Sequence, residues 1–196
     1  MWAVTVPGLA LVIGAYVVGT FPTAHLVGAR RGVDPTRVGS GNPGASNLYR
    51  AAGRRAGALV AIGDVLKGAV PTAVALALDG RPLALWCWFA AVLGHVFPIT
   101  RRLRGGKGVA TAGGGTIVLF PPAAAVLLAL FAVAVRLTRI AAVGSLVMAI
   151  GLPLLVALGG RPAHEVVAAI AVSVLVIARH GGNIRRLVRR EELLVR

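Results

Sequence analysis

Cysteine is almost absent: Cys87 stands alone, so no internal disulfide is possible, and its place in an apolar run makes it a packing residue. Acidic residues are also scarce, six against 21 Lys and Arg, which leaves a net charge of +15. In a soluble protein that balance would suggest nucleic acid. Here the bases lie between apolar runs, where basic loops facing anionic lipid account for them, and no nucleic-acid partner is expected. Charged residues make up only 14% of the chain and hydrophobic ones 57%, which excludes an ordinary soluble domain and indicates several membrane spans. No His, Cys and carboxylate cluster has metal-ligand spacing, so neither a metal nor another cofactor is expected. The first apolar stretch lacks a basic lead-in and a small-residue cleavage site, and reads as a retained span.

Apolar runs fall at 3–29, 56–78, 83–99, 109–120, 122–135, 140–158 and 165–178. A crossing helix needs about 20 apolar residues. Runs one, two, three and six qualify; the others are short, and Pro121-Pro122 should break any helix joining 109–120 to 122–135. That pair is either two short spans or a hairpin entering from one side. With seven crossings and an outside N-terminus, eighteen basic residues face one side and only Arg81 and Arg161 the other, with Lys67 inside a span. Such asymmetry marks the eighteen-residue side as cytoplasmic. The expected fold is all-α, a polytopic membrane protein of about seven transmembrane helices in one domain, residues 1–196. Its C-terminus is cytoplasmic, and residues 183–196 form a basic, amphipathic tail lying on the membrane surface as an interfacial helix.

Three glycine-basic clusters then share the cytoplasmic face. Arg37-Val38-Gly39-Ser40-Gly41-Asn42-Pro43-Gly44-Ala45-Ser46-Asn47 can offer backbone N–H groups to an anion, because glycine turns without a Cβ clash. Gly105-Gly106-Lys107-Gly108 precedes an apolar helix, whose N-terminus itself favours anions. Arg179-His180-Gly181-Gly182-Asn183 closes the last span. Only two of the 21 basic residues are lysines, Lys67 and Lys107, and both lie in unusual motifs, where a compact ammonium suits better than a planar fork. The second cluster is not a nucleotide loop, since Gly108 follows the lysine where a magnesium-binding hydroxyl would stand.

Asp64 and Lys67, three apart on one helix face, would each cost about 2.5–3.5 kcal/mol facing lipid, so they should pair with each other or with another helix. His25 and His164 read as structural, His95 as a residue that orders a polar site, and His180 as a functional one. Ser40 is more readily a phosphate ligand than a nucleophile paired with His180. On physical grounds alone the chain offers a cytoplasm-facing phosphate site beside lipid. An anion transporter, an intramembrane serine protease and a structural membrane protein remain as alternatives.

At these motifs the chain resembles the bacterial integral-membrane acyl-phosphate:glycerol-3-phosphate acyltransferases, over nearly its whole length. The family pattern GSGNPGATN with a following arginine is matched by Gly39 to Asn47 and Arg50, with Ser46 in place of threonine. The GHxFP and KGGKGVAT pattern is matched by Gly94 to Pro98 and Gly105 to Thr111, with Arg104 in place of lysine. The third, RHxxNIxRLxxGxE, is matched by Arg179, His180, Asn183, Ile184, Arg186, Leu187 and Glu192, with Arg190 where glycine is usual. The resemblance implies transfer of a fatty acyl group from acyl phosphate to the sn-1 hydroxyl of glycerol 3-phosphate, in the bacterial cytoplasmic membrane. It implies catalytic roles for Ser40, Lys107 and His180. Substrate or phosphate binding falls to Arg50, Gly39, Gly41, Asn42, Asn47, Gly105, Gly106, Gly108 and Asn183, with Asp64, Lys67, His95 and Arg179 as supporting polar groups. The expected partners are the two substrates, membrane lipid and the soluble enzyme that makes acyl phosphate. The HxxxxD signature of acyltransferases that use acyl-CoA or acyl-carrier protein is absent. The fifth residues after the four histidines are Arg30, Thr100, Ala169 and Arg185.

Overall fold

A computed structural model describes residues 6–195, and among them every regular element is helical. The chain forms two compact units, one up to Pro121 and the other from Pro122, where the sequence alone suggests one domain. The boundary is the Pro-Pro step, and Pro121 sits at the start of a helix, where its missing N–H leaves no intrahelical bond unmade.

In the first unit, α1 (Val6–Gly19) and α2 (Thr23–Ala29) replace the single helix expected over residues 3–29, of which 3–5 lie outside the described residues. The break falls at Thr20 to Pro22, where Pro22 has no N–H to continue the ladder. After a loop come α3 (Ala45–Ala52) and α4 (Arg54–Val96). Gly80 interrupts α4 with φ 77° and ψ −165°, a conformation suited to glycine. The chain reverses there: Lys67 Nζ lies 3.2 Å from His95 Nδ1, 28 residues further on. The two arms match the expected runs 56–78 and 83–99. The inner face of the first arm is mostly small or polar, with Ala56, Gly57, Val60, Asp64, Lys67, Gly68, Thr72 and Ala75 buried. Leu59, Ile62, Leu66, Val70 and Val74 of that arm are exposed. This inversion of the soluble pattern is what lipid demands, since apolar side chains gain nothing by leaving it and helices associate through close backbone contact.

A short helix, α5 (Val109–Leu119), packs against both arms. A Cβ on Gly114 would overlap Val65 O, one on Gly68 would overlap Thr111 O, and Trp88 Nε1 donates to Ala112 O at 3.0 Å. Eleven residues reach about 16 Å, half of a bilayer core, so α5 does not cross by itself.

The second unit contains α6 (Pro121–Thr138), α7 (Ala141–Leu158), α8 (Ala163–Arg179) and α9 (Gly181–Val188). At 18 residues α6 is longer than the run 122–135 suggests. The expected tail helix stops at Val188, because Arg190 adopts φ 60° and Glu191 N turns back to Arg186 O at 2.8 Å. Arg196 lies outside the described residues. By length and composition four helical stretches can cross a membrane, or five if the bent pair α8–α9 counts as one; the reversal at Gly80 divides the longest into two arms.

Candidate active site

The first glycine-basic loop is held from within by one side chain. Asn47, 2% exposed, accepts from Ser40 N at 3.0 Å and donates to Pro35 O at 2.9 Å and Val38 O at 3.0 Å. Its amide is thereby committed to the loop, so it positions Ser40 where the sequence suggests a direct phosphate contact. Gly39 and Gly41 both have positive φ, and a Cβ on Gly39 would overlap Asn47 Oδ1. The N–H groups of Gly41 and Gly44 close turns onto Val38 O and Asn42 O, each at 2.9 Å. The loop therefore presents side chains outward: half-buried Ser40 and Asn42, with Arg50 in the last turn of α3. At its start, Asp34 Oδ1 accepts from Thr36 N at 2.9 Å and Thr36 Oγ1 at 2.7 Å. These bonds, with Arg37 beside it, hold the Asp34 carboxyl below its ordinary range.

The second cluster lies on the end of α4. Gly105 N donates to Val96 O and Gly106 N to His95 O, both at 3.1 Å. Those two N–H groups are spent on the protein, which corrects the expectation that they face an anion. Gly105 and Gly106 are glycines because of contact. A Cβ on Gly106 would overlap His95 Nε2, and one on Gly105 would overlap His95 O. Beyond them, Gly108 caps α5 at φ 86° and accepts from Ala112 N at 2.7 Å. The first-turn N–H groups from Val109 to Thr111 have no intrahelical acceptor and supply the positive end of the helix beside half-buried Lys107.

Beneath this loop the expected Asp64–Lys67 pair forms at 2.7 Å, with both residues buried. Lys67 Nζ also donates to Phe21 O at 2.9 Å and to His95 Nδ1 at 3.2 Å. His95 thus fixes the glycine loop by its carbonyl and ring, while Lys67 fixes His95.

In the second unit, α8 bends by 57° into α9, and His180 occupies the bend, 2% exposed. Its Nδ1 lies 2.8 Å from Val176 O. A carbonyl only accepts, so Nδ1 carries a proton, and in the neutral tautomer the lone pair is then on Nε2. Asn183, also buried, donates to Glu192 Oε1 at 3.0 Å, and Arg186 Nε donates to Glu192 Oε2 at 3.0 Å. Arg179 is half-buried in the last turn of α8. Glu192 is the organising residue that reading the motif for ligands overlooks; its signal was the Glu191-Glu192 step in an otherwise arginine-rich tail.

The family model described as glycerol-3-phosphate acyltransferase matches residues 9–190. This chain belongs to that family. Relatives named glycerol-3-phosphate acyltransferase include one from Rubrobacter xylanophilus, 42% identical over 93% of this chain and 92% of its own. Another, from Geobacter sulfurreducens, is 43% identical over 91% and 93%. Among solved structures, PlsY, an integral membrane glycerol 3-phosphate acyltransferase in its glycerol 3-phosphate form, aligns with a TM-score of 0.93 and 34% identity. That match covers 96% of this chain and 95% of PlsY, and the lysophosphatidic acid form aligns with a TM-score of 0.90. Membership makes this chain an acyltransferase of phospholipid synthesis embedded in the membrane. It also explains the third motif: the glycine of the family pattern falls where Arg190 has φ 60°, a conformation that glycine adopts without strain.

Proposed function

We propose that this chain transfers a fatty acyl group from acyl phosphate to the sn-1 hydroxyl of glycerol 3-phosphate, releasing lysophosphatidic acid and phosphate in the first step of phospholipid synthesis. The observation that carries this reading is Lys107 at the N-terminus of α5, on a loop pinned to the end of α4. An ammonium carried on a pinned loop beside a helix N-terminus suits a phosphate or a developing oxyanion. The solved forms of PlsY with glycerol 3-phosphate and with lysophosphatidic acid support acceptor and product. The missing HxxxxD signature supports acyl phosphate as donor.

An acyl phosphate is a mixed anhydride with a good leaving group. The sn-1 oxygen attacks the acyl carbon, the bond from that carbon to the phosphate oxygen breaks, and phosphate leaves. Ser40, Arg50 and Lys107 hold phosphate and stabilise charge on the carbonyl oxygen. His180 and Asn183 orient glycerol 3-phosphate, and the hydroxyl proton passes to His180 Nε2 or to the substrate's own phosphate. Positioning two substrates together supplies much of the rate. The distribution of bases supports an outside N-terminus, a cytoplasmic C-terminus and a site on the cytoplasmic face of the bacterial inner membrane. That basic face also suits docking of the soluble enzyme that makes acyl phosphate.

The deciding experiment gives purified protein glycerol 3-phosphate with palmitoyl phosphate or with palmitoyl-CoA. Lysophosphatidic acid from the phosphate donor alone is the expected result. Product from the CoA ester, or from neither in folded protein, overturns the reading.

A further inference from the structure

We propose that the first unit carries a second anion site, a recess in which Arg101 and Thr23 bind a phosphate group. The recess is half open to solvent, about 200 Å³ with the open space at its mouth included, and lies where α2, both arms of α4 and Gly106 meet. Asp64 is the one carboxylate in its wall. Lys67 neutralises it at 2.7 Å, and the ammonium directs its remaining protons at Phe21 O and His95 Nδ1. Lys67 and Asp64 therefore cancel, with the donors of the lysine committed. Arg101 adds a second positive charge to the recess, against the single carboxylate of Asp64.

Two donors of residues that line this space lack acceptors. Arg101 Nε and Thr23 Oγ1 are both buried and have no hydrogen-bond partner, and Thr23 is only 9% exposed. Buried donors in folded proteins nearly always find an acceptor, so a pair of them in one recess marks a place for a ligand. The ligand must be anionic, rich in acceptor oxygens and small. A phosphate group satisfies all three conditions, and guanidinium is the side chain that matches its geometry best.

Arg101 is not loosely placed. It ends a short 3₁₀ turn (Ile99–Arg101), with Arg101 N and Leu103 N both bonded to Pro98 O, at 3.0 and 2.9 Å. Arg102 and Leu103 follow at φ 51° and 62°, a left-handed pair that side chains rarely adopt. Ile99 and Leu103 on this turn are exposed, which places apolar side chains next to the recess as at a lipid interface. The phosphate can come from a lipid headgroup or from free phosphate; the chemistry is shared. The proposal does not depend on acyl phosphate being the donor.

The test uses the full chain in maltoside detergent, in a Lys107→Ala background that weakens the phosphate site proposed above. Thermal stabilisation is titrated with inorganic phosphate, with dihexanoyl phosphatidic acid, and with chloride at matched ionic strength. Saturable stabilisation by a phosphate ligand and not by chloride is expected. Arg101→Gln should raise the half-saturating concentration about tenfold or more, the scale of a hydrogen bond to a charged group. Thr23→Val, nearly isosteric, should raise it about threefold, and it decides alone if Arg101→Gln does not fold. Response to both phosphate ligands assigns free phosphate; response to phosphatidic acid alone assigns a headgroup. Variants that bind within about twofold of the parent, or chloride acting as well as phosphate, overturn the site and leave ordinary hydration of the two donors.

Discussion

Gly106→Ala places a methyl group against the His95 ring, where the built Cβ overlaps Nε2 and lies 2.9 Å from Cε1. The ring cannot turn away cheaply, because Nδ1 holds Lys67, and Lys67 is tied to Asp64 and Phe21 O. The loop must therefore move. Shifting it breaks the bonds from Gly106 N to His95 O and Gly105 N to Val96 O, at a cost of about 1 kcal/mol each. It also carries Lys107 away from its place at α5. A displacement of about 1 Å in a positioning group costs on the order of a hundredfold in rate, which is about 2.7 kcal/mol of barrier. The assay is initial lysophosphatidic acid formation at subsaturating glycerol 3-phosphate, with the thermal midpoint as a check of folding. Gly113→Ala is the control, since a Cβ there meets nothing within 4 Å. It should retain activity and gain up to about 1 kcal/mol of helix stability. A Gly106→Ala enzyme within about threefold of the parent would refute the reasoning, because the barrier change would then be below 1 kcal/mol.

Lys107→Ala should abolish transfer while expression and thermal midpoint stay normal, and substantial residual turnover would remove its assigned role. Asn47→Ala deletes three hydrogen bonds that close the first loop, worth about 3 kcal/mol together; a raised KM with accelerated proteolysis at 35–47 is the expected outcome. Arg190→Gly relieves a left-handed residue and should stabilise the detergent-solubilised protein by about 1 kcal/mol, measured by its thermal midpoint. The Asp34 turn should depend on pH. A carboxyl lowered on folding adds stability above its unfolded pKa and loses it as pH falls through the folded one. Hydrogen exchange at residues 34–37 should therefore rise on acidification below the usual carboxylate range, and Asp34→Asn should flatten that dependence.

Much of the helical plan was legible because long apolar runs and the Pro-Pro step are strong signals. The Asp64–Lys67 pair was legible for a similar reason, since two charges in an apolar run have few places to go. What the sequence hid were features set by contact across the chain. The break before α2 needed more than Pro22, because Pro71 and Pro153 lie inside helices without ending them. The early end of the tail helix depends on Glu192, whose partners Asn183 and Arg186 lie a turn or more back. The recess at Arg101 joins residues from positions 23 to 101, and no local spacing announces it.

A run such as Gly105-Gly106-Lys107-Gly108 suggests a nest of N–H groups around an anion, because glycine frees the backbone. Here the first two glycines serve close approach: their N–H groups bind carbonyls of α4, and their missing Cβ atoms make room for His95. Only Gly108 uses the left-handed conformation, as the cap of α5. The same logic covers Gly68, Gly114, Gly19 and Gly94, each pressed on the backbone of a neighbouring helix. In lipid, where apolar side chains do not drive helices together, contact at the backbone holds the scaffold. The cationic groups are thereby left to a few placed side chains and one helix N-terminus, and the glycines between them act as the joints that fix their positions.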